Sequence, residues 1–142
     1  MAEDGQITKL SLVVASGTYE KVHYAFVMAA GAAAVGIPVT MFFTMGASRA
    51  VLSGAGWHEL TCEVSGMSAK HRDDDFAEKG VATLDDLIES SAELGVTFIV
   101  CEMGLVAEGL KGIPLREDLS IEVTGVVTFF DDAEPGGSIV YI

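Results

Sequence analysis

The feature that most constrains the fold is a long stretch without a charged side chain. Residues 22–45 contain no Lys, Arg, Asp or Glu, and a stretch of that length could cross a bilayer as a helix. Gly36 and Pro38 interrupt it, however, and the composition changes there from Ala-rich to the β-branched and aromatic run VTMFF. A buried helix followed by a buried strand accounts for both halves. We therefore predict a helix–strand junction here and no membrane span.

Other segments continue this alternation of strand and helix. Uniformly apolar strands that alternate with helices are typical of a parallel sheet covered on both faces. The predicted strands are residues 10–15, 39–44, 96–100 and 138–142, and the predicted helices are residues 19–35, 47–52, 83–94, 102–110 and 122–132. The pattern predicts an α/β domain of three layers (α/β/α) that spans residues 1–142. Its sheet is expected to have about five mainly parallel strands in a flavodoxin-like or Rossmann-like topology.

Short polar and glycine signals indicate where several helices begin and end. Ser16 or Thr18 can cap the first helix, and Gly36 is placed to end it. Thr83, with Asp86 three residues later, resembles a capping box in which Asp replaces the usual Glu. Gly95 is placed to close that helix in a left-handed conformation.

Residues 54–82 show no clean periodicity and are longer than a usual connection inside a compact domain. This insertion-like segment is either a mobile lid or partner-binding loop, or it contains a short helix that the pattern does not reveal. The run Asp73–Asp75 within it is typical of a solvated face.

The charge balance excludes two classes of partner. The net charge is −13, and only 8 Lys and Arg residues are available to neutralise phosphates. We therefore expect neither nucleic acid nor an anionic lipid surface as a partner. Half of the residues are hydrophobic, which excludes a disordered chain and suggests that apolar surface is hidden in a homo-oligomer.

The two cysteines, Cys62 and Cys101, are too few for a disulfide scaffold. The opening segment MAEDGQITKL does not resemble a signal peptide. We therefore expect a cytoplasmic protein with reduced thiols.

Cys101 is placed where reactive groups gather in α/β proteins. It follows an apolar strand and precedes a helix in FIVCEMGLVAEGL, and ligands collect at the carboxyl ends of parallel strands. Backbone N–H groups at the helix start would favour the thiolate, whereas Glu102 would oppose it. Gly104 would let a substrate or another chain approach the backbone. The alternative is a buried core cysteine, because free cysteine is among the most buried residue types.

Other site types have weaker support in the sequence. His58 and Cys62 could share a helical face and bind a metal with His71 or an Asp, but a structural zinc site needs more ligands at tighter spacing, so no metal is predicted. His23 is expected to be a packed or interface residue. The turn Ser16–Thr18 could hold a flavin phosphate or merely cap a helix, and no dinucleotide or P-loop motif accompanies it. We predict no cofactor.

Four segments together resemble the DsrE/DsrF-like family of small sulfurtransferases and sulfur carriers. These are LSLVVASGTYEKVHYAF, GIPVTMFFTMGA, FIVCEMGLVAEGL and the ending EVTGVVTFFDDAEPGGSIVYI. The resemblance covers nearly the whole chain. It implies the α/β fold of that family.

The resemblance also implies a function and a site. Cys101 occupies the position of the family's active cysteine, which carries sulfur as a persulfide or related adduct and passes it to another protein's thiol. Met103 and Gly104 would supply backbone at the helix start, and Tyr19 would form a wall of the site. Cys62 would be a second, resolving thiol if the two sulfurs can meet.

The family also suggests partners. Its members are commonly trimers or hexamers, and their donors and acceptors are other sulfur-relay proteins of the TusA-like or rhodanese-like kinds. Fold membership does not by itself establish transfer activity. The alternative is therefore a non-catalytic oligomeric binding or scaffold module with the same fold, whose acidic surface docks a basic partner.

Overall fold

In the computed structural model, which describes residues 7–142, the uncharged stretch forms most of a helix, a turn and a strand. Gly36 has a φ of 85°, so it ends the helix in the left-handed conformation that glycine adopts most easily. The predicted helix–strand junction is confirmed. Among the residues described, no helix is long and apolar enough to cross a membrane. The first six residues of MAEDGQITKL, the segment that does not resemble a signal peptide, lie outside the described residues.

The described residues form a sheet of five strands, all parallel, in the order β4-β3-β2-β1-β5. The strands are β1 (Leu10–Val14), β2 (Val39–Phe43), β3 (Thr97–Cys101), β4 (Ile121–Thr124) and β5 (Ser138–Tyr141). The predicted α/β class with a parallel sheet is confirmed. The prediction of a helix from residue 122 is wrong, because residues 121–124 form β4 and the last helix begins only after Gly125. The β-branched run IEVT favours a strand, and hydrogen bonding to β3 satisfies its backbone.

In the described part of the chain, five α-helices accompany the sheet. They are α1 (Tyr19–Ala34), α2 (Ala69–Glu78), α3 (Leu84–Glu93), α4 (Glu102–Ala107) and α5 (Val126–Asp132). The predicted helix at residues 47–52 is instead a 3₁₀ helix over Met45–Val51, and a second 3₁₀ turn covers Gly56–Glu59. The capping box at the start of α3 is present as predicted, with Thr83 accepting from the Asp86 backbone N–H and the Asp86 carboxylate accepting from Thr83 N–H.

The two faces of the sheet are covered unequally. Alternate strand residues such as Leu12, Met41 and Val100 face the main core, which α1, α3 and the 3₁₀ segments help to build. The other alternate residues form a small separate cluster under α5, which consists of Val13, Phe42, Ile99, Cys101 and Phe129. The three-layer arrangement is therefore thick on one face and thin on the other.

Residues 54–82 contain the helix that the sequence pattern concealed, since α2 lies within them. The run Asp73–Asp75 is only partly solvated, because Asp73 is buried whereas Asp74 is exposed. The Asp73 carboxylate accepts hydrogen bonds from the Tyr19 hydroxyl at 2.6 Å and from the Leu84 backbone N–H at 2.7 Å. This one side chain therefore joins α2 to the starts of α1 and α3, and the prediction that it belongs to a solvated face is wrong.

Candidate functional site

At the carboxyl edge of the sheet, the loop that follows β2 touches both the loop that follows β1 and the start of α4. A Cβ on Gly46 would lie 2.8 Å from the Cα of Gly17, so these two loops meet through glycine backbone. A Cβ on Gly104 would lie 2.5 Å from Thr44 Oγ1 and 2.6 Å from the Met45 nitrogen. The close approach predicted at Gly104 is thus made by the chain's own loop after β2, and it fixes the start of α4 against that loop.

Cys101 is the last residue of β3 and the residue immediately before α4. Its side chain lies in the cluster under α5, and only 4% of the residue is exposed. Thr124 is its neighbour on β4. The side chain makes no capping hydrogen bond with α4, so the backbone N–H groups expected to face the sulfur do not bond to it here. Cys101 is therefore both at a strand end, as predicted, and covered.

The residues that follow Cys101 differ in their surroundings. Met103 is largely exposed, whereas Gly104 is buried. The Glu102 carboxylate lies 3.6 Å from the Lys111 ammonium group. This cation offsets part of the negative charge that Glu102 was expected to place beside the thiol.

Tyr19 lies in the main core and not in the cluster that contains Cys101. Burial and the hydrogen bond to Asp73 raise the pKa of its hydroxyl, and its ring packs against His23 and Phe76. His23 is buried as predicted, with Nε2 2.9 Å from the Ala82 carbonyl oxygen. These contacts give Tyr19 a structural role in joining α1 to α2.

Cys62 lies in the loop before α2 and contacts the first turn of α1. Its thiol donates to Glu20 Oε2 at 3.0 Å, and the same carboxylate accepts from Arg72 Nε at 3.2 Å and from the Glu63 backbone N–H at 2.9 Å. Burial and the hydrogen bond to Glu20 raise the pKa of the Cys62 thiol. Its contacts are separate from those of Cys101, so the structure does not bring the two sulfurs together.

The residues considered for a metal do not converge. Within residues 7–142, no three His, Cys, Asp or Glu side chains are grouped so that they could hold a metal ion. His58 packs edge-on against Trp57, while the backbone N–H of His71 donates to the Ser68 hydroxyl that caps α2.

Sequence reasoning missed the residues that surround Cys101. Phe129 on α5 is fully buried and packs with its ring centroid 5.1 Å from that of Phe42. Thr124 is not among the predicted site residues, because the sequence pattern predicts one helix over residues 122–132. Gly125 inside that run was the available signal, since glycine is unfavourable in a helix interior and here precedes α5.

Comparisons with known proteins agree with this fold. Residues 6–47 match the model of the DsrE/DsrF/DrsH-like family. The chain is 29% identical to YrkE of Bacillus subtilis (strain 168) over an alignment of 159 positions, which covers 96% of this chain and 98% of YrkE. The crystal structure of the ychN protein from E. coli is similar with a TM-score of 0.55, covering 94% of this chain and 99% of that one. At 12% identity, this second likeness concerns the fold alone.

The matched residues 6–47 include β1, α1 and β2 in full. These elements form the centre of the sheet and the helix that covers its thicker face. The family match confirms, for residues 6–47, the resemblance to the DsrE/DsrF-like family that the sequence motifs predict.

Proposed function

We propose that this protein is a sulfur carrier that holds sulfur on Cys101 and transfers it to a partner thiol. The observation that carries the proposal is the position of Cys101 at the carboxyl end of a central strand, in a chain with DsrE-like features. The likeness to a sulfur-relay-related family is the reason that sulfur transfer is the chemistry proposed. The strand end then supplies one cysteine placed where α/β proteins carry out their reactions.

The reaction is a thiol–disulfide-type exchange that moves one sulfur atom from a donor to Cys101. It needs no external oxidant or reductant. The Cys101 thiolate attacks the outer sulfur of a polysulfide or protein persulfide and forms an S–S bond, while the donor leaves as a thiolate or shortened polysulfide. An acceptor thiolate then attacks the outer sulfur held on Cys101. The Cys101 S–S bond breaks, and Cys101 leaves as the thiolate that began the cycle.

The chain supplies a matched control for this chemistry. Cys62 is more exposed than Cys101, but its thiol donates to the Glu20 carboxylate. Because a negative neighbour and the raised pKa both disfavour its thiolate, Cys62 is expected to be a poor nucleophile at neutral pH. Selective labelling of Cys101 would therefore reflect reactivity and not mere exposure.

The test is the intact mass of native protein after incubation with inorganic polysulfide. We expect a gain of whole sulfur atoms that dithiothreitol removes, that persists in Cys62→Ala and that is lost in Cys101→Ala. Alanine is preferable to serine at residue 101, because serine would place a hydroxyl in the apolar cluster with Phe42, Ile99 and Phe129. Labelling of Cys62 alone, or of neither thiol before denaturation, would contradict the proposal.

A second function is favoured by a different observation. Val126, Val127 and Phe130 on α5, and Ile139 and Tyr141 on β5, are exposed apolar side chains. Exposed apolar patches often mark protein interaction sites, which suits the non-catalytic binding module. In that case Cys101→Ala would leave the protein's cellular function intact, whereas Phe130→Asp would abolish it.

A further inference from the structure

The side chain of Cys101 lies in a small buried cluster to which α5 contributes one side chain, that of Phe129. Phe129 has no exposed surface, and it shares a cluster of four buried residues with Phe42, Ile99 and Cys101. No other residue of α5 is buried in that cluster. A reagent or partner that approaches from the α5 side must therefore displace Phe129 before it reaches the sulfur.

The helix that carries Phe129 has little other packing. It is seven residues long, and Val126, Val127 and Phe130 point away from the core with large exposed fractions. It begins after Gly125, where an added Cβ would have no atom within 4 Å. Elements with few buried apolar contacts open at the lowest free energy, so α5 is the element most suited to local movement near Cys101.

The two ends of α5 are held with different strength. At the C-terminal end, the Asp132 carboxylate accepts from Lys9 Nζ at 2.7 Å and from the Thr40 hydroxyl at 2.6 Å. At the N-terminal end, a neutral hydroxyl pair joins Thr128 to Thr124 at 2.9 Å. Charge-assisted hydrogen bonds are about twice as strong as neutral ones. The N-terminal half of α5, which lies next to Cys101 through Thr124, is thus the half that can swing away.

We propose that Phe129 is a positioning residue that controls access to Cys101. The N-terminal half of α5 swings outward about the end held by Asp132, and reagents reach the Cys101 sulfur while Phe129 is displaced. As a statement about sulfur transfer, this inference rests on the proposed function. As a statement about access to the thiol, it stands on the geometry of α5 alone.

The test measures the rate at which 4,4′-dithiodipyridine reacts with Cys101 in native protein, with Cys62→Ala as the background so that one thiol remains. Phe129→Ala is expected to raise this rate by at least about tenfold, because truncation removes most of the buried contact of α5. Val127→Ala is the control on the same helix, since Val127 is 71% exposed, whereas the Phe130 ring lies 5.6 Å from that of Phe129. The rate in Val127→Ala is expected to stay within about twofold of the parent, as for other surface substitutions.

A control in the main core separates local access from general destabilisation. Phe26 is fully buried on the opposite face of the sheet, and Phe26→Ala should lower the melting temperature without opening α5. Phe129→Leu keeps most of the apolar contact and should restore most of the protection, which guards against failure of Phe129→Ala to fold. Equal acceleration by Phe26→Ala and Phe129→Ala at matched melting temperature would overturn the proposal, because global unfolding would then expose the thiol.

The two proposals fail in different ways. If Cys101 in Phe129→Ala reacts rapidly with 4,4′-dithiodipyridine but gains no sulfur from polysulfide, the access inference stands and sulfur carriage fails. If parent Cys101 already reacts at the rate of the denatured protein, Phe129 does not control access, whatever the result with polysulfide.

Discussion

Gly104 shows how one residue holds the carboxyl edge together. Its Cα lies against Thr44 and Met45, where a side chain has no room. Met45 itself has a φ of 51°, a left-handed conformation that costs a non-glycine residue about 1 kcal/mol or more. The contact between α4 and the loop after β2 is therefore tight enough to outweigh local backbone strain.

Substitution of Gly104 by alanine should be destabilising. Because the added Cβ would force the loop after β2 away from α4, we expect Gly104→Ala to lower the free energy of unfolding by about 1–3 kcal/mol. The matched control is Gly31→Ala. Gly31 lies in α1 and an added Cβ meets nothing within 4 Å, so this change should raise the free energy of unfolding by roughly 0.5–1 kcal/mol. Urea denaturation measures both, and equal effects would contradict the close contact.

At the scale of the element, the position of α2 depends on one buried carboxylate. Asp73→Ala would leave the Tyr19 hydroxyl and the Leu84 N–H buried without their partner, which should cost roughly 2–4 kcal/mol. The neighbouring Asp74 pairs with Lys70 in solvent, so Asp74→Ala should leave the free energy of unfolding nearly unchanged. Chemical denaturation of the two variants is the measurement. Similar losses in both would show that helix composition, and not the buried network, stabilises α2.

Local patterns were enough to predict four strands and three helices. Apolar runs, the Thr83 capping box and glycines such as Gly36 are signals contained in a few neighbouring residues. The helix α2 was hidden because its sequence AKHRDDDFAE is mostly polar. The burial of Asp73 depends on Tyr19, which is 54 positions away in sequence. No local pattern contains that partner, and this is why the aspartate run was assigned to solvent.

The candidate site also has one part that local sequence signals predict and one part that depends on contacts distant in sequence. The strand-end position of Cys101 follows from its neighbours in sequence, so it was predictable. Its cover was not, because Phe129 reaches Cys101 only through the pairing of β3 with β4 and the path of the chain from β4 into α5. Once residues 121–124 are assigned to a helix, nothing places Thr124 or Phe129 beside the cysteine.

At the scale of the whole molecule, several titrating groups favour the folded state at neutral pH. Burial alone would raise the pKa values of Glu20 and Asp132, but their hydrogen bonds lower them, and the hydrogen bond from Arg116 lowers that of Asp118. A depressed carboxyl pKa stabilises the fold above the ordinary value of about 4, and the contribution is lost as the pH falls through the folded value. The raised pKa of the Cys62 thiol has the opposite pH dependence. It stabilises the folded state below the ordinary thiol value of about 8.5, and this contribution to stability is lost as the pH rises above that value.

We therefore expect the free energy of unfolding to be highest between roughly pH 5 and 8 and to fall on both sides. Urea denaturation across a pH series measures it. In Glu20→Gln the loss on acidification should be smaller, since this variant has no carboxylate to protonate at residue 20. A maximum below pH 4 in the parent protein would contradict these assignments.

The place of β5 in the sheet has a consequence for folding. Leu10 pairs with Ser138, so β1 acquires its second neighbour from a strand 128 residues further along the chain. Until that pairing forms, β1 presents a free edge to which a strand from another molecule can add. Pairings so distant in sequence form slowly, and refolding at high concentration therefore favours exchange of β5 between two copies. Because only residues 133–137 separate α5 from β5, an exchange that carried α5 along with β5 would seat the α5 of one copy over the thiol of the other.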